Sequence, residues 1–114
     1  MNSLEGTWQP LYAELGGEEA PKMMLEKMEV ELAGGQYTVR FGGEIYDYGN
    51  YTLDADGHLT LLGTDGPNAG RTIPGLFKLA GDTLSICYGL AGLRPANFST
   101  GTDPQLYLVN YQRK

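Results

Sequence analysis

The 114-residue chain has one cysteine, one histidine and one tryptophan. A single cysteine cannot form an internal disulfide, so the fold has to hold by its core alone. A lone histidine, His58, with no cysteine or second histidine beside it is a poor start for a metal site. Charged residues make up only 19% of the chain, which argues against a coiled coil or a charged disordered tail. No run approaches the ~18 apolar residues of a membrane-spanning helix. Bases are also scarce, 8 against 14 acids for a net charge of −6, so the chain repels phosphates and nucleic acid is disfavoured as a partner. There is no basic run or basic amphipathic helix to seek a membrane surface. The start, Met1-Asn2-Ser3-Leu4-Glu5-Gly6, lacks the positive and apolar regions of a signal peptide. The expectation is a cytoplasmic chain, with a trimmed, exported parent left open.

Catalytic patterns are missing too. There is no Gly-x-Ser-x-Gly and no phosphate-binding Walker loop. Gly34-Gly35 and Gly42-Gly43 are not followed by the helix that a dinucleotide fingerprint needs. Asp54-Ala55-Asp56-Gly57 has the look of a calcium loop, but its twelfth position is held by Asp65 rather than glutamate, so the stretch reads as a turn. Cys87 has no nucleophile motif around it and reads as a buried, inert thiol. The expectation is therefore no enzyme, no metal and no cofactor.

Glycine is plentiful, 17 residues, about twice the usual ~7%. The glycines have no three-residue period, which excludes collagen. Instead they punctuate short β-prone runs. Leu4 to Leu15 is the first run, closed by Gly16-Gly17. Residues 18–27, with acids in front, Pro21 near the start and lysine at the end, predict one or two helical turns. Met28 to Leu32 alternates strictly, as does Tyr37 to Phe41, with Gly34-Gly35 between them. Gly42-Gly43, Asp56-Gly57 and Gly81-Asp82 supply three more hairpin signals. Strands are expected at 44–53, 59–61, 71–79, 84–88 and 105–112, with loops at 63–70 and 89–104. Pro74 and Gly75 suggest an edge, a bulge or a bend in their strand. Eight strands joined by tight turns predict one domain over 1–114: an all-β, antiparallel up-and-down barrel with a short helix after the first strand. The acids concentrate in the first half, 11 against 3 bases over residues 1–57, with 3 against 5 over residues 58–114.

Several runs carry a resemblance. Leu4-Glu5-Gly6-Thr7-Trp8 opens the chain. Asp65-Gly66-Pro67, Gly70-Arg71-Thr72-Ile73, the hairpin Gly81-Asp82-Thr83-Leu84-Ser85-Ile86-Cys87-Tyr88 and the loop Arg94-Pro95-Ala96-Asn97-Phe98 follow in order. Together they resemble the bacterial lipocalin-like domain family of unknown function. The resemblance spans nearly the whole chain. It implies a lipocalin-like barrel and no established activity.

Trp8 is expected to plug one end of the barrel, covered by Arg113 or Lys114 through a cation–π contact. The eight tyrosines, all on expected strands, suit the lining of a small cavity, since each offers an apolar ring and a polar tip. Tyrosine's preference for strands explains them equally. Tyr46 and Tyr48 share a face and Tyr51 takes the other. Arg94 is either a cationic finger or a pin that holds its loop. Met23, Met24 and Met28 suggest a flexible apolar plug. The first functional expectation is a non-catalytic module that binds a small apolar or amphipathic ligand. Its candidate ligand contacts are Tyr37, Val39, Tyr46, Tyr48, Leu84, Ile86, Tyr88 and Arg94, with Trp8 and Arg113 structural. The competing expectation is a packed barrel acting as a protein-interaction or sensory accessory domain, with an unidentified protein as partner. A ligand binder is expected to hold a cavity of a few hundred Å3.

Overall fold

Four two-residue turns set the frame of the chain. In Gly34-Gly35 and Gly42-Gly43 both residues have positive φ, as do Gly57 and Gly81 in the other two. That backbone matches the right-handed twist of a hairpin, and glycine adopts it without a Cβ clash. A computed structural model describes residues 4–114, apart from the side chain of Ala55. Met1, Asn2 and Ser3, on which part of the signal-peptide reading rests, lie outside the described residues.

The elements are β1 (Gly6–Leu15), β2 (Glu18–Glu19), α1 (Lys22–Glu26), β3 (Met28–Ala33), β4 (Gln36–Phe41), β5 (Glu44–Ala55), β6 (His58–Asp65), β7 (Thr72–Ala80), β8 (Thr83–Gly89) and β9 (Leu106–Arg113). From β3 to β9 each strand pairs antiparallel with the next. β1 pairs with β3 through Gly6, Thr7 and Trp8, and with β9 from Trp8 to Leu15. These pairings close an eight-stranded antiparallel barrel, with β2 as a short extra strand on the far end of β1. The all-β barrel expected from the sequence is the fold observed.

Three elements depart from the sequence reading in ways that matter for the site. The helix is confined to Lys22–Glu26, because Glu18 and Glu19 turn back at Gly16-Gly17 and pair with Leu15 and Glu14. β6 runs on into the expected loop as far as Asp65. Its register against β5 slips there, with Gly49 opposite Gly63 and Tyr48 opposite Asp65, so Thr64 is an extra residue of a bulge. β7 is paired on both sides and is no edge strand. Pro74 faces Thr60 on β6, but pairing with β8 begins only at Gly75, so the missing proline N–H interrupts no ladder there.

Trp8 sits where β1 pairs with both β3 and β9. Trp8 is fully buried, and its indole Nε1–H donates to the Leu4 carbonyl at 2.9 Å. The Arg113 guanidinium lies over the ring, 4.3 Å from its centroid. Arg113 also donates to the Glu5 carbonyl at 2.6 Å and pairs with Asp82. Gly6 makes this arrangement possible. Its φ is +139°, and a Cβ there would stand 2.6 Å from Arg113 Nη1.

The long connection between β8 and β9 is tied down rather than free. Arg94 Nη1 donates to the carbonyls of Leu59 at 2.9 Å and Gly75 at 2.7 Å. Its Nη2 reaches Asp54 and Thr60, both at 3.3 Å. Further on, Thr100 is buried, donates to Glu14 and accepts from the Gly17 amide. No helix among the described residues is long and apolar enough to cross a membrane.

Candidate functional site

The interior of the barrel is not completely filled. Alternation along β3, β6, β7, β8 and β9 turns Val30, Leu61, Ile73, Ile86 and Val109 inward, and these walls line a partly open cavity of about 110 Å3. The wall is mainly apolar, but polar side chains converge on it from three places. β4 contributes Tyr37, β5 contributes Asp47, and the loop after β6 contributes Asn68. On the other side stand Tyr88, Tyr107 and Tyr111.

Asp47 is the unexpected member. It is 5% exposed, flanked by an exposed Tyr46 and a half-buried Tyr48. The register of β4 and β5 slips at this point, with Val39 opposite Asp47 and Arg40 opposite Ile45, so Tyr46 is the extra residue of a bulge. The inward face of β5 is therefore Asp47, Gly49 and Tyr51. Gly49 is required on that face: a Cβ there would stand 2.8 Å from the Tyr37 ring and 2.2 Å from the Leu62 carbonyl. With Gly49 bare, the Tyr37 ring packs close against β5 and donates its hydroxyl to Asp47 Oδ2, 3.4 Å away. Asn68 Nδ2 donates to the same oxygen at 2.8 Å.

The phenols of the cavity stay protonated. Burial pushes the Tyr37 hydroxyl up to about 12, with the negative charge of Asp47 and their hydrogen bond adding to the shift. Burial also raises Tyr88, Tyr107 and Tyr111. The hydroxyls of Tyr88 and Tyr111 satisfy one another at 2.8 Å, and the rings of Tyr88 and Tyr107 stack with centroids 5.8 Å apart. The result is a mainly apolar cavity with polar groups on two sides, which can hold a small molecule and orient it.

Of the residues singled out in the sequence, Tyr37, Val39, Ile86 and Tyr88 lie on the cavity wall. Leu84 is buried in the core without lining the cavity. Tyr46 is 58% exposed and Tyr48 half-buried, both away from the cavity, because the β5 bulge and Gly49 give the inward face to Asp47. Arg94 is engaged by backbone carbonyls of β6 and β7 and is a pin, not a finger. Met23 and Met24 are exposed on α1, so only Met28 of the three methionines reaches the cavity. Sequence reading missed Asp47 and Asn68. The one available signal was Gly49, a glycine two residues beyond an acid within a strand.

The Cys87 thiol is fully buried and pushed up by that burial, which suppresses the thiolate that chemistry would need. Asp54, from the calcium-like stretch, accepts from Thr52, Thr60 and Arg94 and is held below the usual carboxylate range chiefly by the threonine hydroxyls.

No protein-family model and no curated protein matches the sequence. Among solved structures, the chain is similar to an uncharacterized protein from Bacteroides eggerthii DSM 20697. The TM-score is 0.63, over 98% of this chain and 100% of that one, at 11% sequence identity. The likeness is one of fold.

Proposed function

We propose that the protein is a non-catalytic, lipocalin-like binding module that holds one small, largely apolar ligand inside its barrel. A single observation carries this reading: a mainly apolar cavity on which Tyr37, Asp47 and Asn68 converge. The family resemblance is supported by the placement of its motif residues, since Gly6 leaves room for Arg113 over Trp8 and Arg94 ties the loop. The absence of catalysis is supported by the state of the reactive groups, a buried thiol and phenols that remain neutral.

The cavity also sets the size of the ligand. At about 110 Å3 it falls short of the few hundred Å3 expected of a ligand binder. It exceeds the ~30 Å3 that one water occupies in the liquid and approaches the roughly 150 Å3 of an engineered apolar cavity that holds benzene. The part of a guest held inside is thus about six heavy atoms.

The test is a benzene titration followed by NMR of the methyl groups, with xenon as a second probe. Saturable shifts at Val30, Leu61, Ile73, Ile86 and Val109, together with a rise in Tm, are expected. Methyl spectra unmoved by both probes would sink the reading. A second reading, a protein-contact domain, is favoured by Leu11 of β1 and Met23 of α1, which are 56% and 68% exposed. It predicts that substitutions there, and not in the cavity, abolish function.

A further inference from the structure

The tyrosines of β8 and β9 bring more hydrogen-bond donors to the cavity than the chain itself uses. The register sets Tyr88 opposite Tyr107 and Leu84 opposite Tyr111, and the three tyrosines line the cavity. The Tyr88 and Tyr111 hydroxyls share one hydrogen bond at 2.8 Å, in which one donates and the other accepts. Each phenol has a single O–H to give. The accepting hydroxyl therefore keeps its own proton, and no second acceptor among the described residues takes it. Both residues are buried, and a buried donor is seldom left without a partner.

Tyr107 supplies a second spare donor. Its hydroxyl has no hydrogen-bond partner among the described residues. It is nevertheless within reach of a guest, because the side-chain atom that is both unpartnered and sealed from solvent is Asp47 Oδ1, not this one. The Tyr107 ring stacks on that of Tyr88. An ionised Tyr107 would repel charge on both Tyr88 and Tyr111, so the three oxygens are neighbours. Tyr37, across the barrel on β4, is already committed, since its hydroxyl donates to Asp47.

Two donors at one place suit an acceptor with two lone pairs, which a carbonyl oxygen has. The wall selects further. Asp47 lines the cavity and no lysine, arginine or histidine does, so a carboxylate would be held there without an opposite charge. An alcohol would add a donor to a place that has a surplus of them. Resting on the cavity reading above, we infer that the guest is a neutral carbonyl compound whose oxygen accepts from Tyr107 and from the spare hydroxyl of the Tyr88–Tyr111 pair, while its hydrocarbon part lies against Val30, Leu61, Ile73 and Val109. Burial keeps all three phenols protonated near neutral pH, so both donors are present there.

The experiment compares cyclopentanone with methylenecyclopentane, a near-isostere in which the oxygen is replaced by a CH2 group. Affinities are measured by methyl NMR titration on the wild type and on Tyr107→Phe, which deletes a hydroxyl that has no partner in the protein. The variant is expected to bind the ketone about tenfold more weakly, the effect of one hydrogen bond, and the hydrocarbon no more weakly than the wild type does. The carbonyl 13C resonance of the bound ketone is expected downfield of its position in a hydrocarbon solvent, and part of that shift is lost in the variant. A ketone affinity that Tyr107→Phe leaves unchanged would overturn the inference, as would equal losses for the two ligands. If the variant does not fold, the wild-type resonance decides, and an unshifted carbonyl overturns the inference. Hydrocarbon binding without ketone binding overturns this inference alone, whereas failure of both ligands together with benzene and xenon overturns the cavity reading with it.

Discussion

The guanidinium of Arg113 stacks on the ring of Trp8 at 4.3 Å, although the two residues lie at opposite ends of the chain. They are paired neighbours on β9 and β1. Removing the cation in Arg113→Ala is expected to cost about 1 kcal/mol. Gly6→Ala should cost more, about 1–3 kcal/mol, because alanine is strained at a φ of +139° and its Cβ meets Arg113. Urea denaturation followed by the fluorescence of Trp8 measures both. Equal stability of Gly6→Ala and wild type would refute the role given to Gly6.

Arg94 should prove structural when tested. Arg94→Ala removes charged hydrogen bonds to the Leu59 and Gly75 carbonyls and is expected to destabilise by about 1.5–3 kcal/mol. Hydrogen exchange should accelerate between residues 90 and 105, with affinity for cavity ligands unchanged. A loss of ligand affinity without faster exchange would restore Arg94 as a ligand contact.

The hydroxyl pair of Tyr88 and Tyr111 makes a thermodynamic cycle informative. Either single change to phenylalanine leaves the other buried hydroxyl unsatisfied, at a cost of about 1–3 kcal/mol. The double variant should cost less than the sum of the singles. Strict additivity would show that the two hydroxyls do not depend on one another.

Alkaline pH should unfold the barrel cooperatively. The tyrosine phenols ionise near 10 in the unfolded chain, whereas Tyr37 is pushed up to about 12 and Tyr88 and Tyr111 are raised as well. Above pH ~10 the unfolded chain therefore holds fewer protons than the folded one. The stabilisation is complete below that point and is lost as pH climbs toward the folded values. Denaturant midpoints measured across this range should fall together with the rise in phenolate absorbance. A midpoint that does not change above pH 10 would contradict the burial of these hydroxyls.

On the acid side, Glu14 is held below the usual carboxylate range, first by the Thr100 hydroxyl and then by that of Tyr12. Its contribution is present above the unfolded value and fades as pH falls through the folded one. Thr100→Val should move the Glu14 titration, followed by NMR, back up toward the ordinary value.

The barrel was legible in the sequence because its turns are chemically explicit. Gly34-Gly35 and Gly42-Gly43 announce hairpins, and alternation from Met28 to Phe41 states which residues face inward. Trp8 and its arginine cover were legible for a similar reason, each being a residue type with few alternatives. The convergence of Tyr37, Asp47 and Asn68 was not. Alternation alone sends Tyr46 and Tyr48 inward as readily as Asp47, and hydrophobicity favours the tyrosines. The phase is decided by a bulge at Tyr46 and by the space Tyr37 needs over Gly49, both of which are tertiary effects. β6 was under-read because Gly63 and Asp65 are turn formers by composition but ladder partners in fact.

The pairing of β1 with β9 has a consequence for how the molecule is made. The strand that completes the barrel leaves the ribosome about 100 residues after its partner. Until then β1 and β8 present unpaired edges, the kind of surface that recruits strands from other chains. Barrel formation should therefore be slow, since its decisive contact closes a long loop. Crowded nascent chains that lack β9 should associate with one another before they fold.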